Sequence, residues 1–371
     1  MRPPALPIAV CVAASLVAAA ATPARAQQAR PSVFAVESSA AVDETSDLDG
    51  NRVQNLTVDA VVSASLGRGF QAIVRPFAQR LGTGAWNRQV WVATVRYERR
   101  GPVGLRVEAG VIPSPIGLAN LTLRPHLNAT IAQPSSLFTP LPPLERPGAR
   151  TVRATLLGAV YPYGVQATAS GTHWDARAAA MDTSPLRTRR IFSPTNPPRF
   201  ANVVVGGGVT PFVGFRVGAS VTHGAWQHDG ESPSITEDRR ATIVTIKSDL
   251  AFRYTKLAGE WTRDGIETST GGRVASGWFV QGQQTLSAHW FVAGRAERMQ
   301  APAVFWLDGS QTPLESPLVV KQRLSGVEET LGYRITPELT LRTGHRARKE
   351  FGRDGFVHTF SVSAVWWRRW L

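Results

Sequence analysis

The chain has 371 residues and a formal charge of +14, with 41 Lys and Arg against 27 Asp and Glu. Its single cysteine excludes a disulfide scaffold. After residue 26 no apolar run reaches the roughly 18 residues that a membrane helix needs, and no helical periodicity of useful length occurs.

The first 26 residues predict a cleavable secretory signal. Arg2 precedes an apolar stretch from about Leu6 to Ala21, and Ala24-Arg25-Ala26 forms a small-x-small cleavage site. Cleavage would start the mature chain near Gln27 and remove the cysteine, Cys11. The exported chain is then periplasmic, extracellular or a β-barrel, and nucleic acid is not expected as a partner. No linker divides residues 27–371, which are predicted to form one domain.

Segments in which apolar and polar residues alternate fill the rest of the chain. In the most regular one, Leu105 and Val107 alternate with Arg106 and Glu108. An apolar face opposite a polar face is what a strand between lipid and water requires. Sixteen strands are predicted, at 33–40, 52–66, 70–80, 89–98, 103–112, 153–171, 174–181, 201–210, 213–225, 240–254, 257–264, 273–283, 288–298, 319–335, 338–347 and 355–366.

The connections between these segments alternate between tight turns and long polar loops. The long ones are predicted at 43–51, 113–150, 182–199 and 299–317. Short periplasmic turns and long external loops are typical of bacterial outer-membrane barrels. An even strand count requires 153–171 to be one strand with an irregularity at Pro162. The predicted fold is therefore all-β, a transmembrane antiparallel β-barrel of about 16 strands in the outer membrane.

Aromatic residues near strand ends support this prediction. Trp91, Trp261, Trp278 and Trp290 lie where aromatic girdles meet lipid headgroups. The last predicted strand alternates up to Trp366, close to the C-terminus. Such a strand resembles the terminal signal that the barrel-assembly machinery recognises, so that machinery is a predicted partner.

The predicted loop 113–150 is the longest and contains eight prolines, which make it unsuitable for a central strand. Its beginning, Gly110-Val111-Ile112-Pro113-Ser114-Pro115-Ile116-Gly117-Leu118-Ala119-Asn120, resembles a segment of the phosphate-selective porin O and P family, with Ile116 in place of the usual phenylalanine. The resemblance implies a homotrimer of sixteen-stranded barrels in which this loop narrows the pore. The family's lysine-rich constriction is not evident, so phosphate selectivity is not carried over.

Strand alternation and the loop together give a set of candidate pore residues in which cations outnumber acids. Rings of Arg and Lys favour anions in a pore, whereas the alternative is that these charges pair across strands and stabilise the wall. The predicted pore-lining and constriction residues are Arg75, Arg96, Arg106, Glu108, Arg124, His126, Arg146, Arg150 and Arg153. Alternation also places Lys247, Arg253, Arg295, Arg342 and Arg346, with the acids Glu98, Asp249 and Glu297, on the lumen side.

These patterns predict a porin that passes small hydrophilic solutes with a modest preference for anions. The alternative is a non-conducting structural or adhesive barrel whose loops bind partners. A basic cluster of Arg187, Arg189, Arg190 and Arg199 could steer anions or bind phosphates of lipopolysaccharide. The seven histidines are scattered without metal-site spacing, so no metal, no cofactor and no enzymatic activity are predicted.

Overall fold

The computed structural model describes residues 34–118, 123–144, 154–158, 161–187, 200–231, 235–307 and 313–370. The predicted signal lies outside these residues. No helix within the described ranges is long and apolar enough to cross a membrane.

Sixteen antiparallel strands form one closed sheet in which each strand pairs with its neighbours in sequence. Closure is made between β1 and β16, with Cα partners from Glu37↔Arg369 to Asp47↔Thr359. The predicted fold class is therefore confirmed. The strands are β1 Phe34–Asp47, β2 Arg52–Gly67, β3 Phe70–Leu81, β4 Asn87–Arg99, β5 Gly104–Val111, β6 Tyr163–Ser170, β7 Trp174–Met181, β8 Asn202–Phe212, β9 Phe215–Gln227, β10 Arg239–Phe252, β11 Thr255–Thr268, β12 Gly271–Thr285, β13 Trp290–Leu307, β14 Pro313–Arg334, β15 Leu339–Lys349 and β16 Phe356–Arg369.

Alternation along each strand separates an outer apolar face from an inner face. On β10, Ile246 is exposed on the outside, whereas its neighbours Thr245 and Lys247 are buried inside. The short turns lie at one end of the barrel, as in the hairpin between Phe252 and Thr255. The longer connections lie at the other end, so the two rims differ as the loop-length rhythm predicts.

The prediction that 153–171 forms one strand is wrong, because only Tyr163–Ser170 pairs as a strand. Residues 154–158 and 161–162 belong instead to the long segment between β5 and β6. Leu156 and Leu157 are fully buried because this segment packs inside the barrel. Their apolar character therefore reflects interior packing and not a lipid-facing strand.

Two predicted long loops are also wrong, because strand pairing continues into them. β1 continues through Asp43 to Asp47, and the turn there is closed by the Asp47 carboxylate, which accepts from the Asn51 backbone and side-chain amides. β13 and β14 extend through most of 299–317 as one long hairpin. Arg253, predicted to lie on the lumen side of a strand, lies in the turn after β10 with φ 51°.

The segment between β5 and β6 is called the inner loop below. Its described residues, 112–118, 123–144, 154–158 and 161–162, enter the barrel, and they include the short helix α1 Ser135–Phe138. An apolar core lies inside the barrel between this loop and the wall formed by β3, β4 and β7 to β14. Its most deeply buried members are Ile112, Ile116, Leu137, Leu156, Leu157, Met181, Leu186, Trp226, Ile243, Ile266, Met299 and Leu324. This side of the lumen is filled by apolar packing.

Candidate pore constriction

Charged side chains of the barrel wall hold the backbone of the inner loop in place. Arg342 of β15 donates to the carbonyls of Asn128 at 2.9 Å and Thr130 at 3.0 Å. Arg295 of β13 donates to the Ala132 carbonyl at 2.9 Å. Both arginines are almost fully buried. Because a guanidinium presents several donors in a rigid fork, each one can satisfy several loop carbonyls that have no strand partner.

Two carboxylates of the barrel wall accept hydrogen bonds from backbone N–H groups of the loop. Glu328 accepts from the backbone N–H groups of Ile131 and Ala132 at 2.9 and 2.8 Å. Glu297 accepts from the Ser135 backbone amide at 2.8 Å and from its hydroxyl at 2.7 Å, at the start of α1. These carboxylates therefore fix the middle of the loop against β13 and β14.

A second anchor joins the loop to β2 and β3 through a buried carboxylate. Asp59 accepts two hydrogen bonds from Arg75, at 2.9 and 3.0 Å, and a third from Arg124 of the loop at 3.1 Å. Arg75 also donates to the Tyr161 hydroxyl at 2.9 Å and lies over the Trp91 ring. Burial raises the pKa of Tyr161 to about 12, so this hydroxyl stays protonated.

His126 of the inner loop lies near the β1–β16 closure. Its Nε2 lies 3.3 Å from a Glu37 carboxylate oxygen, and its ring stacks on Trp367 at 5.4 Å between centroids. Arg124 donates to the same carboxylate oxygen at 2.6 Å. Burial, followed by the nearby Arg124 charge, lowers the pKa of His126 to about 4. The imidazole is therefore neutral near pH 7.

The turn around Gly117 is held from the opposite wall. Lys247 donates to the Gly117 carbonyl at 3.2 Å, and Arg177 donates to the Pro115 carbonyl at 3.0 Å. Glu260 accepts from the Leu118 backbone amide at 2.5 Å. Gly117 has φ +75°, a left-handed conformation that glycine adopts without strain.

Next to this turn lies a cavity of about 770 Å³, between β4 and β10 and open toward the short-turn rim. Its wall carries Arg106, Arg177, Arg216 and Lys247 on four strands. Among the acids that line it, Asp175 is neutralised by two hydrogen bonds from Arg216, each 2.9 Å long. The guanidinium of Arg106 has no hydrogen-bond or ion-pair partner in the described part of the chain. Glu98 and Asp249 also line the cavity, so its wall keeps only a small excess of positive charge.

Two smaller cavities also adjoin the inner loop. One of about 470 Å³ shares Asp249 with the first and is lined by Pro125 to Ala129 of the loop and by Trp367. Another of about 210 Å³ lies toward the long-loop rim and is lined by Ile131 and Ala132. The inner loop thus lies between the cavities of the two rims, which is the position of a constriction.

The structure separates the sequence-predicted pore residues into three groups. Arg106 lines the 770 Å³ cavity. Arg96 lies 2.5 Å from Glu108, whose other oxygen accepts from Gln166, and Glu108 is fully buried. Arg75, Arg124 and His126 contact the loop as described above. The remaining three, Arg146, Arg150 and Arg153, lie outside the described residues.

Several site residues were missed by reasoning from the sequence. Arg177 and Arg216 line the 770 Å³ cavity, and Asp59, Glu260 and Glu328 anchor the loop. For Arg177 a signal existed, because Asp175 and Arg177 alternate with alanines in β7 and so share the inner face. The acids gave no such signal, since their role depends on where the loop folds back.

No family model matches this chain, and no curated relative was found. Solved structures with a similar fold are bacterial porins and other outer-membrane proteins. OmpF of Salmonella typhi has a TM-score of 0.58 at 9% identity, covering 90% of this chain and 97% of that chain. An anion-selective porin from Comamonas acidovorans has 0.57 at 9%, covering 91% and 98%. The trimer form of the outer-membrane protein OmpT from Vibrio cholerae has 0.57 at 8%, covering 90% and 99%. The chain shares their barrel fold over nearly its full length.

Proposed function

We propose that this chain is a channel of the porin type in the bacterial outer membrane, through which small hydrophilic solutes diffuse with a modest preference for anions. The observation that carries the proposal is the 770 Å³ cavity with four wall cations, of which Arg106 has no ion-pair partner among the described residues. The similar fold of solved porins supports the channel, and the predicted secretory signal supports the location.

The mechanism is passive. The inner loop narrows the lumen and so sets the largest solute that passes, while the wall charges set the ion preference. Arg106, Arg177 and Lys247 lie around the turn at Gly117, where a low-dielectric wall on one side strengthens their field. Anions are concentrated there relative to bulk water, which lowers the barrier to their passage.

The second candidate is a non-conducting structural or adhesive barrel. It is favoured by the apolar core that fills the lumen beside β3, β4 and β7 to β14 and by the many bonds that fix the inner loop. A barrel whose remaining lumen is closed by side chains would keep these features without passing solute.

Two further partners follow from the sequence and the proposed location. Lipopolysaccharide phosphates would bind Arg189, Arg190 and Arg199, which lie outside the described residues. Arg187 of the same predicted cluster is buried and paired with Glu231, so it is not available to a lipid phosphate. The barrel-assembly machinery would recognise β16, whose outward residues include Phe356, Phe360 and Trp366.

We also infer a homotrimer, supported by polar groups on the outer wall of β14 to β16. Glu328 and Arg346 face the interior, so their neighbours Glu329 and His345 face outward. His345 lies 3.1 Å from His358 of β16, ring nitrogen to ring nitrogen. Polar side chains on a wall are unfavourable against lipid, and contact with a second copy of the chain would remove them from it.

Planar bilayer recordings test the channel. Refolded protein is expected to insert in steady single-channel steps, with a reversal potential in a KCl gradient that indicates mild chloride preference. Heat-dependent mobility in detergent electrophoresis shows that the barrel is folded. A folded barrel that inserts but never conducts would instead establish the structural barrel.

A further inference from the structure

The outer wall of the barrel carries basic side chains on β11 to β14. These side chains take no part in the contacts described above. Asp264, Glu297 and Leu324 are buried inside the barrel. Successive side chains of a strand point to opposite faces, so the residues next to these three point outward. They are Arg263, Arg298 and Arg323.

The strand register brings these residues together. Arg263 pairs with Ser276, Ser276 with Gln300, and Gln300 with Arg323, which makes one row across four strands. Arg298 lies in the next row toward the short turns. With strands about 4.8 Å apart, the two ends of the first row lie about 15 Å apart. Arg263, Arg298, Arg323, Ser276 and Gln300 are called the outer basic patch.

The patch lies at the height of a membrane boundary. The short-turn ends of β11, β13 and β14 are their first, first and last residues. Arg263 and Arg298 lie 8 residues from that end of their strands, and Arg323 lies 11 residues from it. At about 3.3 Å per residue and a tilt near 45°, these positions lie roughly 19 to 26 Å above the short turns, against an apolar band about 25 Å tall. In the row of Arg298, Trp261 and Trp278 pair with each other on the outer face.

The three guanidiniums have no counter-charge of their own. Within the described ranges, none has a hydrogen-bond or ion-pair partner, and Arg263 and Arg323 are exposed. An unpaired cation facing hydrocarbon is strongly unfavourable, whereas the same cation at an anionic headgroup layer is stabilised. The patch therefore needs an anion supplied by the surrounding lipid.

We propose that the outer basic patch binds the phosphate groups of the lipid A portion of lipopolysaccharide in the outer leaflet. Guanidinium forks match phosphate oxygens in pairs, and the Ser276 hydroxyl and Gln300 amide add neutral donors between them. The Trp261 and Trp278 rings lie beside the patch, where an amphipathic ring meets both acyl chains and headgroups. The inference rests on the proposed outer-membrane location and does not depend on conduction.

Binding of fluorescent lipid A to the folded barrel in neutral phosphatidylcholine vesicles tests the proposal, with energy transfer from tryptophan as the readout. Wild-type protein is expected to show saturable binding that vesicles with dephosphorylated lipid A do not reproduce. Arg263→Gln, Arg298→Gln and Arg323→Gln are each expected to weaken binding roughly fivefold, and the triple variant by far more. Arg323→Lys, which keeps the charge but loses the fork, is expected to retain most of the affinity.

Arg88→Gln is the matched control, because Arg88 is exposed near the upper end of β4, away from the patch. It is expected to bind like wild type. Equal binding by wild type and the triple variant, both folded by heat-dependent mobility, would overturn the proposal. Displacement of lipid A by inorganic phosphate at equal concentration would also overturn it, since that result indicates a general anion site. Failure of wild type to insert into any vesicle would instead contradict the outer-membrane location.

Discussion

Arg295 of β13 and Glu328 of β14 form a buried ion pair 2.5 Å long, and both side chains also bind the inner loop. Each charge is therefore compensated by its partner, and both side chains also bond the loop backbone. The wall and the loop are thus stabilised as one unit, and loss of the Glu328 charge leaves Arg295 with only the more distant Glu297, 3.7 Å away.

Glu328→Gln is expected to lower the free energy of unfolding by about 3 kcal/mol, because Arg295 loses its closer charge partner and keeps only Glu297 at 3.7 Å. The loop is then held less firmly, so current noise in single-channel recordings is expected to rise. Guanidinium unfolding in detergent measures the first effect and planar bilayers the second.

Glu329→Gln is the control for this change, because Glu329 is the next residue in β14 but faces outward and is exposed. It is expected to leave both the stability of the isolated barrel and the current noise unchanged. A Glu328→Gln protein with wild-type stability and noise would mean that the pair does not hold the loop.

Asp59→Asn is expected to weaken a second, separate anchor. The carboxylate accepts from Arg75 and from Arg124, and the side chain of Asp59 is fully buried. Removal of its charge leaves Arg75 without a carboxylate partner and Arg124 with Glu37 alone, so a loss of about 3 kcal/mol is expected in the same unfolding measurement. Because the two anchors share no residue, the losses from Asp59→Asn and Glu328→Gln should add within about 0.5 kcal/mol. Strong non-additivity would show that the loop is released as a whole.

His126 is expected to make the barrel less stable in mild acid. Its folded-state pKa, about 4, lies below the ordinary value of 6.5, so the unfolded chain binds more protons between these values. The contribution of His126 to the free energy of unfolding is therefore fully present above pH 6.5, and it falls as the pH is lowered toward 4. In His126→Gln the dependence on pH in this window should become shallower. An unchanged slope, measured by guanidinium unfolding at several pH values, would contradict the buried neutral imidazole.

Gly117→Ala tests why glycine occupies the turn beside the 770 Å³ cavity. A Cβ there would lie 2.9 Å from both a Glu260 carboxylate oxygen and a Leu157 methyl group, in a backbone with φ +75°. A loss of about 1–3 kcal/mol is expected, from the strained conformation and from displacement of Glu260. Gly355→Ala is the control, because nothing lies within 4 Å of its added methyl group. Equal stability of both variants would remove the steric argument.

The fold could be predicted from the sequence because lipid and water impose a two-residue period on every strand, and loop lengths then order the strands. The inner loop could not be predicted in the same way. Leu156 and Leu157 resemble a strand in sequence but pack inside the lumen, where no period applies. For the same reason Arg75 and Arg106 look alike in sequence, since each lies on the inner face of a strand. Only the folded loop distinguishes the buried anchor Arg75 from the cavity-lining Arg106.

The folded loop also distinguishes Arg106 from Arg124, although the sequence predicts both as pore residues. Substitution of Arg106 is therefore expected to change ion preference, and substitution of Arg124 to change stability. Arg106→Glu reverses a charge on the wall of the 770 Å³ cavity, so the reversal potential in a KCl gradient is expected to move toward cation preference with little change in stability. Arg124→Glu places a third carboxylate next to Glu37 and Asp59, so its main effect is expected on stability. Arg88→Glu, on the outer wall, should change neither property. If Arg106→Glu leaves the reversal potential of an otherwise conducting channel unchanged, the permeating ions do not pass the 770 Å³ cavity.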